Sequence, residues 1–291
     1  MELDNPIKFN QIDAFTSEVF GGNSAAVIYQ DDLPGKLMQQ IAKEMNLSET
    51  AFISMSDKAD YNLRWFTPTI EVELCGHATI ASLHYLAENG FVNNDSAVTF
   101  ETLSGILDCR IEDENYCMKL PIQKFRVFNH ESKDIMVALG LKQSDLDTTY
   151  PLLLQKNGNL FIYIKSIEAL KKLNPDFTRL LKLSSENRGF TEFTVFTMET
   201  LDQGNHAHLR FFAPFYGIDE DPVTGSANGP LLLVLKKLGL IEADTENKKY
   251  IFEQGDFLGR KGRVTVTYSA AKNELMISGN AVTVMRGELL I

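Results

Sequence analysis

Two short stretches decide the fold: LRWFTP at 63–68 returns as LRFFAP at 209–214. Looser repeats flank them. AVIYQDDLPGKLMQQIAKEMNLSETAFI (26–53) is echoed by FIYIKSIEALKKLNPDFTRLLKLSSENRGFTEFTVF (161–196), and TFETLSGILDCRI (99–111) by IFEQGDFLGRKGRVTV (251–266). A period this long, present in two copies, indicates a duplicated domain rather than a solenoid.

Local patterns give each half the same series of elements: strand, helix, strand, strand, glycine turn, helix and hairpin. Apolar residues recur at spacings of three and four along 37–45, which predicts a helix that Asp32 can cap. Asn174 and Pro175 mark the start of the equivalent helix in the second half. Alternating or apolar runs predict strands at 12–16, 50–54 and 263–268, and residues 113–115 predict a hairpin turn.

These patterns predict an α/β (α+β) protein made of two pseudo-symmetric domains, each a mixed sheet wrapped around a central helix. We place the first half at 1–121 and the second at 122–280. A last strand at 281–291 can return to the first half.

The matching position in each half carries a glycine turn. Cys75-Gly76-His77-Ala78 falls on Thr224-Gly225-Ser226-Ala227 if the second loop is three residues longer. Each glycine then opens a helix, at 78–88 and at about 227–238. Pro230 would delete a hydrogen bond in the first turn of the second helix. That helix therefore starts near Asn228, or its first turn is open.

A glycine at a helix start lets the backbone approach a ligand closely, and the free N–H groups and helix dipole favour an anion. A single such glycine is more simply explained by a tight turn. Two at matching positions favour binding of a carboxylate without a lysine.

The bulk composition excludes several classes of protein. Net charge is −11, with 39 acidic against 28 basic residues, and no basic face is visible, which argues against a nucleic-acid partner. Three cysteines without a C-x-x-C pair argue against a disulfide framework and fit a reducing, cytoplasmic compartment. The polar N-terminus does not resemble a signal peptide, and no apolar run approaches membrane-spanning length.

Other chemistries find little support. Cys75, His77 and His84 could begin a metal site, but further ligands at recognisable spacing are missing, and His206 and His208 lie on a polar stretch. No G-x-S-x-G is present, nor a G-x-G-x-x-G or G-K-[ST] phosphate motif. We therefore expect no metal and no cofactor.

The chain resembles the PhzF-like, or phenazine biosynthesis-like, isomerases, which are similar in fold to diaminopimelate epimerase and proline racemase. The resemblance runs along nearly the whole chain. It is carried by QIDAFTSEVFGGNSAAV (11–27), NLSETAFI (46–53), CGHAT (75–79), DEDPVTGSA (219–227) and FEQG (252–255). One departure is Ser24, where the family pattern usually has proline.

The resemblance implies a cofactor-independent isomerase that moves a proton within a small cyclic or unsaturated carboxylic acid. It implies that Glu49 is the acid/base, that His77 and Asp221 contact ring substituents, and that Gly76 and Ser226 bind the carboxylate. It also implies a homodimer. The full set of expected substrate-binding residues is Asn23, Ser24, Cys75, Gly76, Thr224, Gly225 and Ser226.

Glu49 fits this role on physical grounds as well. It lies at the edge of a predicted strand among apolar neighbours, and partial burial raises a carboxyl pKa toward the value that an acid/base needs. On sequence alone, a glutamate that caps the end of the preceding helix is the better explanation, and the resemblance overturns it. His77 and Asp221, taken singly, are better explained as turn residues.

Two alternatives remain open. An amino-acid or hydroxy-acid epimerase or racemase of the related fold uses a cysteine from each half, but here Cys75 is matched by Thr224, whose hydroxyl does not ionise near neutral pH. The motif therefore favours one-base chemistry. The second alternative is a non-catalytic binding protein on the same fold.

Overall fold

The computed structural model describes residues 6–113, 115–128, 133–186, 189–242, 246 and 248–291. Residues 1–5 and Glu114, on which the N-terminus and the 113–115 turn predictions depend, lie outside them. The protein is a mixed α/β structure of two compact units. The first contains Met1–Lys119 and Met276–Ile291, and the second contains Leu120–Leu275.

The first unit is a mixed sheet with two helices. Its strands are β1 (Ile7–Ala14), β2 (Asn23–Tyr29), β3 (Glu49–Met55), β4 (Tyr61–Phe66), β5 (Glu71–Val72), β6 (Ala97–Thr102), β7 (Gly105–Glu112) and β8 (Asn115–Leu120), and its helices are α1 (Gly35–Met45) and α2 (Gly76–Glu88). The strands pair in the order β1–β2–β3–β4–β6–β7–β8. The β2–β3 and β4–β6 pairs are parallel and the others antiparallel.

The second unit has strands β9 (Phe125–Val127), β10 (Leu153–Gln155), β11 (Asn159–Tyr163), β12 (Glu192–Thr197), β13 (Ala207–Ala213), β14 (Ile218–Asp221), β15 (Tyr250–Gln254) and β16 (Gly262–Ser269). Its helices are α3 (Lys133–Leu139), α4 (Ile167–Lys171), α5 (Phe177–Ser185) and α6 (Gly225–Leu238). Strand β17 (Glu274–Gly279) leads the chain back to the first unit, where β18 (Ala281–Leu289) pairs antiparallel with β1.

The order of pairing in the second unit repeats that in the first. β10–β11, β12–β13 and β15–β16 are antiparallel, whereas β11–β12 and β13–β15 are parallel. The repeated LR stretches also carry the same ion pair. Arg64 makes a bidentate hydrogen-bonded pair with Glu71, seven residues further along the chain. Arg210 makes the same kind of pair with Glu220, ten residues further along. The offset confirms the three extra residues predicted for the second loop.

Each sheet is covered on both faces. In the first unit, α1 packs Met38 and Ile41 against Ile28 and Phe52. In the second, residues of α3 and α5 pack against Leu160, Phe193 and neighbouring side chains. The helices that follow the glycine turns, α2 and α6, are buried along most of their length. In the first unit α2 packs on β1, β2 and β3.

Several local predictions are confirmed and others need correction. The strands at 50–54 and 263–268 lie within β3 and β16. Asp32 does not cap α1, because the carbonyl of Pro34 accepts the first helical hydrogen bonds and Asp32 has a left-handed backbone, with φ of 60°. The helix near Asn174 begins at Phe177, where the Asp176 side chain accepts from the Arg179 N–H at 2.9 Å.

Both central helices begin earlier than predicted, at Gly76 and Gly225, so Pro230 lies inside α6. Both expectations for α6, a start near Asn228 or an open first turn, were wrong, because the N–H groups of Ala227 and Asn228 already donate to the Thr224 carbonyl in a closed first turn. No helix within the described ranges is long and apolar enough to cross a membrane.

Candidate active site

Glu49 and His77 form a buried pair in the first unit. Glu49 is the first residue of β3, and His77 is the second residue of α2. Glu49 Oε2 lies 3.3 Å from His77 Nε2, and the two side chains are 12% and 4% exposed. Since β3 follows α1 directly, and its first residue packs beside the α2 start, the sequence NLSETAF brings a carboxylate to the CGHAT turn.

Two further side chains orient the imidazole. Asn23 Nδ2 lies 3.2 Å from His77 Nδ1, and Ser48 Oγ lies 3.3 Å from His77 Nε2. If Asn23 donates to Nδ1, the neutral ring carries its proton on Nε2, the nitrogen that lies near Ser48 and Glu49.

Cys75 lies on the other side of the same ring. It is the residue before α2, and its Sγ is 3.5 Å from His77 Nδ1. One ligand atom from each of Glu49, Cys75 and His77 falls within 4.8 Å of the others, a spacing that a metal ion can bridge. However, Cys75 and Glu49 approach opposite ring nitrogens, whereas an ion binds only one of them, so these contacts do not converge on one ion position.

Ser24 has a different partner from its neighbour Asn23. Its hydroxyl donates a very short hydrogen bond to Asp13, whose second carboxylate oxygen accepts the Phe20 N–H at 2.8 Å. Ser24 thus ties the loop between β1 and β2, which ends beside the His77 ring at Asn23.

In the second unit, the turn before α6 is built around Asp221, Thr224 and Gln254. Thr224 Oγ1 donates to Asp221 Oδ2 at 2.5 Å. Gln254 Oε1 accepts from the Thr224 N–H and from Asn228 Nδ2, and Gln254 Nε2 donates to the Asp221 carbonyl. All four side chains are buried, which fixes the position of Gly225 and Ser226 at the start of α6.

Two glycines let the DPVTG loop lie close to the sheet. Gly255 has φ of +89°, and a Cβ there would lie 2.7 Å from the Pro222 carbonyl oxygen. A Cβ on Gly262 would lie 2.3 Å from Val223 Cγ2. The FEQG motif therefore supports the loop through Gln254 and Gly255. Gly76 and Gly225 do not have positive φ, so a left-handed backbone does not explain why glycine occupies these two positions.

Sequence analysis missed Glu192. The register pairs Ala25 with Glu49 across parallel strands, and it pairs Asn159 with Glu192 in the same way, so Glu192 is the counterpart of Glu49. Burial, and then the negative charge of Asp221, raise the pKa of Glu192 to about 7. The signal was present in the repeat, because TEFTVF (191–196) matches SETAFI (48–53).

The predicted residues therefore gather at two places. Glu49, His77, Cys75 and Asn23 meet in the first unit, and Asp221 and Thr224 flank the α6 start in the second. Two other histidines of the described residues lie elsewhere: His84 contacts Tyr116 and Thr283, and the buried His208 contacts Glu253.

Comparison with known proteins identifies the family to which the chain belongs. The profile of the phenazine biosynthesis-like protein family matches residues 12–287. An uncharacterised isomerase of Clostridium acetobutylicum is 40% identical, over 98% of this chain and 99% of its own length. The crystal structure of a Bacillus anthracis phenazine biosynthesis protein of the PhzF family superposes with a TM-score of 0.90 at 30% identity, covering 99% of this chain and 100% of that one.

A hydroxyproline epimerase from Agrobacterium vitis has a similar fold, with a TM-score of 0.64 at 11% identity over 99% of this chain and 94% of that one. At this identity the likeness concerns the fold alone. Together, the profile match, the relative and the PhzF structure assign the chain: it belongs to the phenazine biosynthesis-like, or PhzF, family of isomerases.

Proposed function

We propose that this protein is a cofactor-independent isomerase that moves a proton within a small cyclic or unsaturated carboxylic acid, with Glu49 as the acid/base. The observation that carries the proposal is the buried pair in which Glu49 Oε2 lies 3.3 Å from His77 Nε2.

Glu49 would first take a proton from a carbon of the substrate and then return it to another carbon on the same face. His77 Nε2–H would stabilise the carboxylate that starts and ends the cycle. Because the same carboxyl both accepts and donates the proton, the isomerisation needs no net proton from solvent. Positioned acid/base groups of this kind contribute roughly 100- to 10,000-fold to rate.

The start of α2 supports the binding of the substrate carboxylate in the first unit, through Gly76 and His77. N–H groups of a first helical turn have no acceptor inside the helix and favour an anion. Gly225 and Ser226 offer the same kind of donors in the second unit, and Thr224 and Asn23 are expected to contact substrate. For Asp221 the expected contact with a ring substituent rests on the family resemblance.

Epimerisation or racemisation of an amino or hydroxy acid is the second candidate. It is favoured by Cys75, whose thiol contacts His77 at 3.5 Å. It is disfavoured by Thr224, because a hydroxyl that donates to Asp221 does not supply the second acid/base. A non-catalytic binding protein is the third candidate.

The family resemblance supports a homodimer and a diaminopimelate-epimerase-like arrangement of each half around its central helix. The three cysteines without a C-x-x-C pair support a cytoplasmic location. Sedimentation equilibrium tests whether the protein is a dimer. A monomer at micromolar concentration would contradict it.

The test of function is a screen of small cyclic and unsaturated carboxylic acids in deuterated buffer, followed by proton NMR. The wild type should exchange or move a ring proton in at least one acid, and Glu49→Gln should not. Glu168→Gln, which changes an exposed surface carboxylate, is the control. Equal rates for Glu49→Gln and the wild type would overturn the assignment of Glu49, and binding without exchange would favour a binding protein.

A further inference from the structure

Glu192 occupies the position in the second unit that Glu49 occupies in the first. Both are the first residue of a strand that pairs in parallel with the preceding strand. Glu49 lies beside the second residue of α2, and the corresponding residue of α6 is Ser226. The matched register therefore directs the Glu192 carboxyl toward the face that carries the start of α6.

The charges around the two carboxyls differ. Glu49 has the imidazole of His77 as its neighbour, whereas Ser226 offers no base. Glu192 instead feels Asp221, which pairs with Phe211 where the first unit pairs Val72 with Trp65. Among the described residues, Asp221 is the ionisable group whose charge acts on Glu192, since Arg210 and Glu220 pair with each other and Arg210 also binds backbone carbonyls of Leu170 and Leu173.

Beside Glu192 runs a polar row that the first unit lacks. Asn159 is paired with Glu192 across the parallel strands β11 and β12. Extending the β10–β11 register by one residue places Gln155 opposite Asn159. Their counterparts in the first unit are Ala25 and Ile12. Asn159 and Gln155 are 0% and 3% exposed, yet Asn159 Nδ2 and Gln155 Oε1 have no hydrogen-bond partner among the described residues.

Buried polar atoms without partners are costly and call for an explanation. The Asn159 amide is held by Thr194, whose hydroxyl donates to its oxygen at 2.9 Å, so the Nδ2 donor remains for another group. Thr194 follows Glu192 by two residues and thus lies on the same face of β12. A donor without an acceptor, beside a carboxyl group and a helix start, matches an oxygen that carries negative charge.

We propose that Glu192 is a neutral hydrogen-bond donor that, with Asn159, binds a carboxylate oxygen of a small organic acid at the start of α6. This inference rests on the proposed function for the class of ligand, and it adds a residue that determines specificity. A protonated carboxyl can donate where a carboxylate would repel the ligand. Gln155 Oε1 can accept from a hydroxyl group on the same acid.

The sign of the pH dependence follows from the raised pKa. Well below pH 7, Glu192 holds its proton and can donate, so the affinity for the ligand is highest there. As the pH rises through about 7, the group ionises and repels the ligand. If only the protonated form binds, affinity should be about tenfold weaker at about pH 8 than at about pH 6. Binding near pH 7 should take up protons from the buffer.

The experiment uses benzoate as the probe, with the full-length protein. Calorimetry in buffers of different ionisation enthalpy gives the affinity and the proton uptake, and amide NMR shifts at Gly225 and Ser226 locate the ligand. The wild type should lose about tenfold in affinity over this range, whereas Glu192→Gln, which keeps a donor but cannot ionise, should change by less than about twofold. Asp221→Asn should move the midpoint to lower pH.

Glu168→Gln is the matched control and should retain the wild-type pH dependence. Affinity that is independent of pH in the wild type, binding that tightens with proton release, or no shift at Gly225 and Ser226 would each overturn the proposal. The assay measures binding and not turnover, so its result can be interpreted even if Glu49 does not exchange protons with the substrate. Thermal unfolding of Glu192→Gln should match the wild type.

Discussion

The two central helices begin on matched backbones but in opposite electrostatic settings. At the α2 start, a glutamate lies beside a histidine, at 3.3 Å. At the α6 start, the matching glutamate lies near an aspartate, and its pKa is raised to about 7. The two halves therefore share a backbone arrangement but place different side chains beside the matched carboxyl groups.

The two matched ion pairs, Arg64–Glu71 and Arg210–Glu220, also differ in their surroundings. Arg210 is largely buried and, besides Glu220, donates to the carbonyls of Leu170 and Leu173 at 3.1 and 2.9 Å. Arg64 makes only the carboxylate contact to Glu71 among the side-chain hydrogen bonds described for it, and its side chain is 29% exposed. The second-unit arginine is therefore the more costly one to remove.

Arg210→Met should lower the free energy of unfolding by about 3–5 kcal/mol, because it leaves the largely buried Glu220 carboxylate without its partner. Arg64→Met, its counterpart in the first unit, should cost about 1 kcal/mol. Urea unfolding measures both. Equal losses would show that the two ion pairs are equivalent and break the comparison.

The two Phe-Glu pairs of the repeat, Phe100-Glu101 and Phe252-Glu253, give a second contrast between the units. Burial alone would raise the pKa of Glu253, but hydrogen bonds from His208, from the backbone N–H groups of Leu201 and Asp202 and from Asn205 lower it to about 2. Its counterpart Glu101 is more exposed, and its pKa is lowered mainly by its hydrogen bond to Lys58.

A lowered folded-state pKa adds stability that is present above the ordinary value of 4.5 and is lost as the pH falls toward about 2. The contribution of Glu253 is about 3 kcal/mol. Glu253→Gln should remove it, so that the difference in stability from the wild type shrinks as the pH is lowered from neutral to about 3. Glu101→Gln should be nearly neutral at every pH. A constant deficit for Glu253→Gln would show that packing, not ionisation, is responsible.

The residues that follow these glutamates give the smallest effect. Gln254 accepts from the Thr224 N–H and from Asn228, both buried, whereas Thr102 bonds the nearby Gly105 carbonyl in an exposed turn. Gln254→Leu should cost about 2 kcal/mol by leaving those donors unpaired. Thr102→Val should stay within about 0.5 kcal/mol. Thermal unfolding compares the two, and a larger loss in Thr102→Val would reverse the assignment.

Much of this molecule was readable from the repeat. LRWFTP and LRFFAP predicted related halves, and the three-residue offset placed Gly76 and Gly225 at equivalent helix starts. NLSETAF and CGHAT marked the residues that meet as Glu49 and His77, although the contact between them needed the parallel pairing of β2 with β3.

What could not be read was decided by tertiary context. Asp32 has the chemistry of a helix cap, yet the backbone of Pro34 takes that position. Pro230 suggested a late helix start, but burial keeps α6 continuous from Gly225. Glu192 could be matched to Glu49 through TEFTVF and SETAFI, but its raised pKa depends on burial and on Asp221, which is distant in the sequence.

The most direct test of one-carboxylate chemistry compares two first-unit variants. On the acid found to exchange, Glu49→Gln should lose roughly 100- to 10,000-fold in the rate of deuterium incorporation without a change in the unfolding midpoint. Cys75→Ala should keep most of the rate and make it insensitive to thiol reagents. A dead Cys75→Ala with an active Glu49→Gln would contradict the account and make the protein a thiol-dependent epimerase.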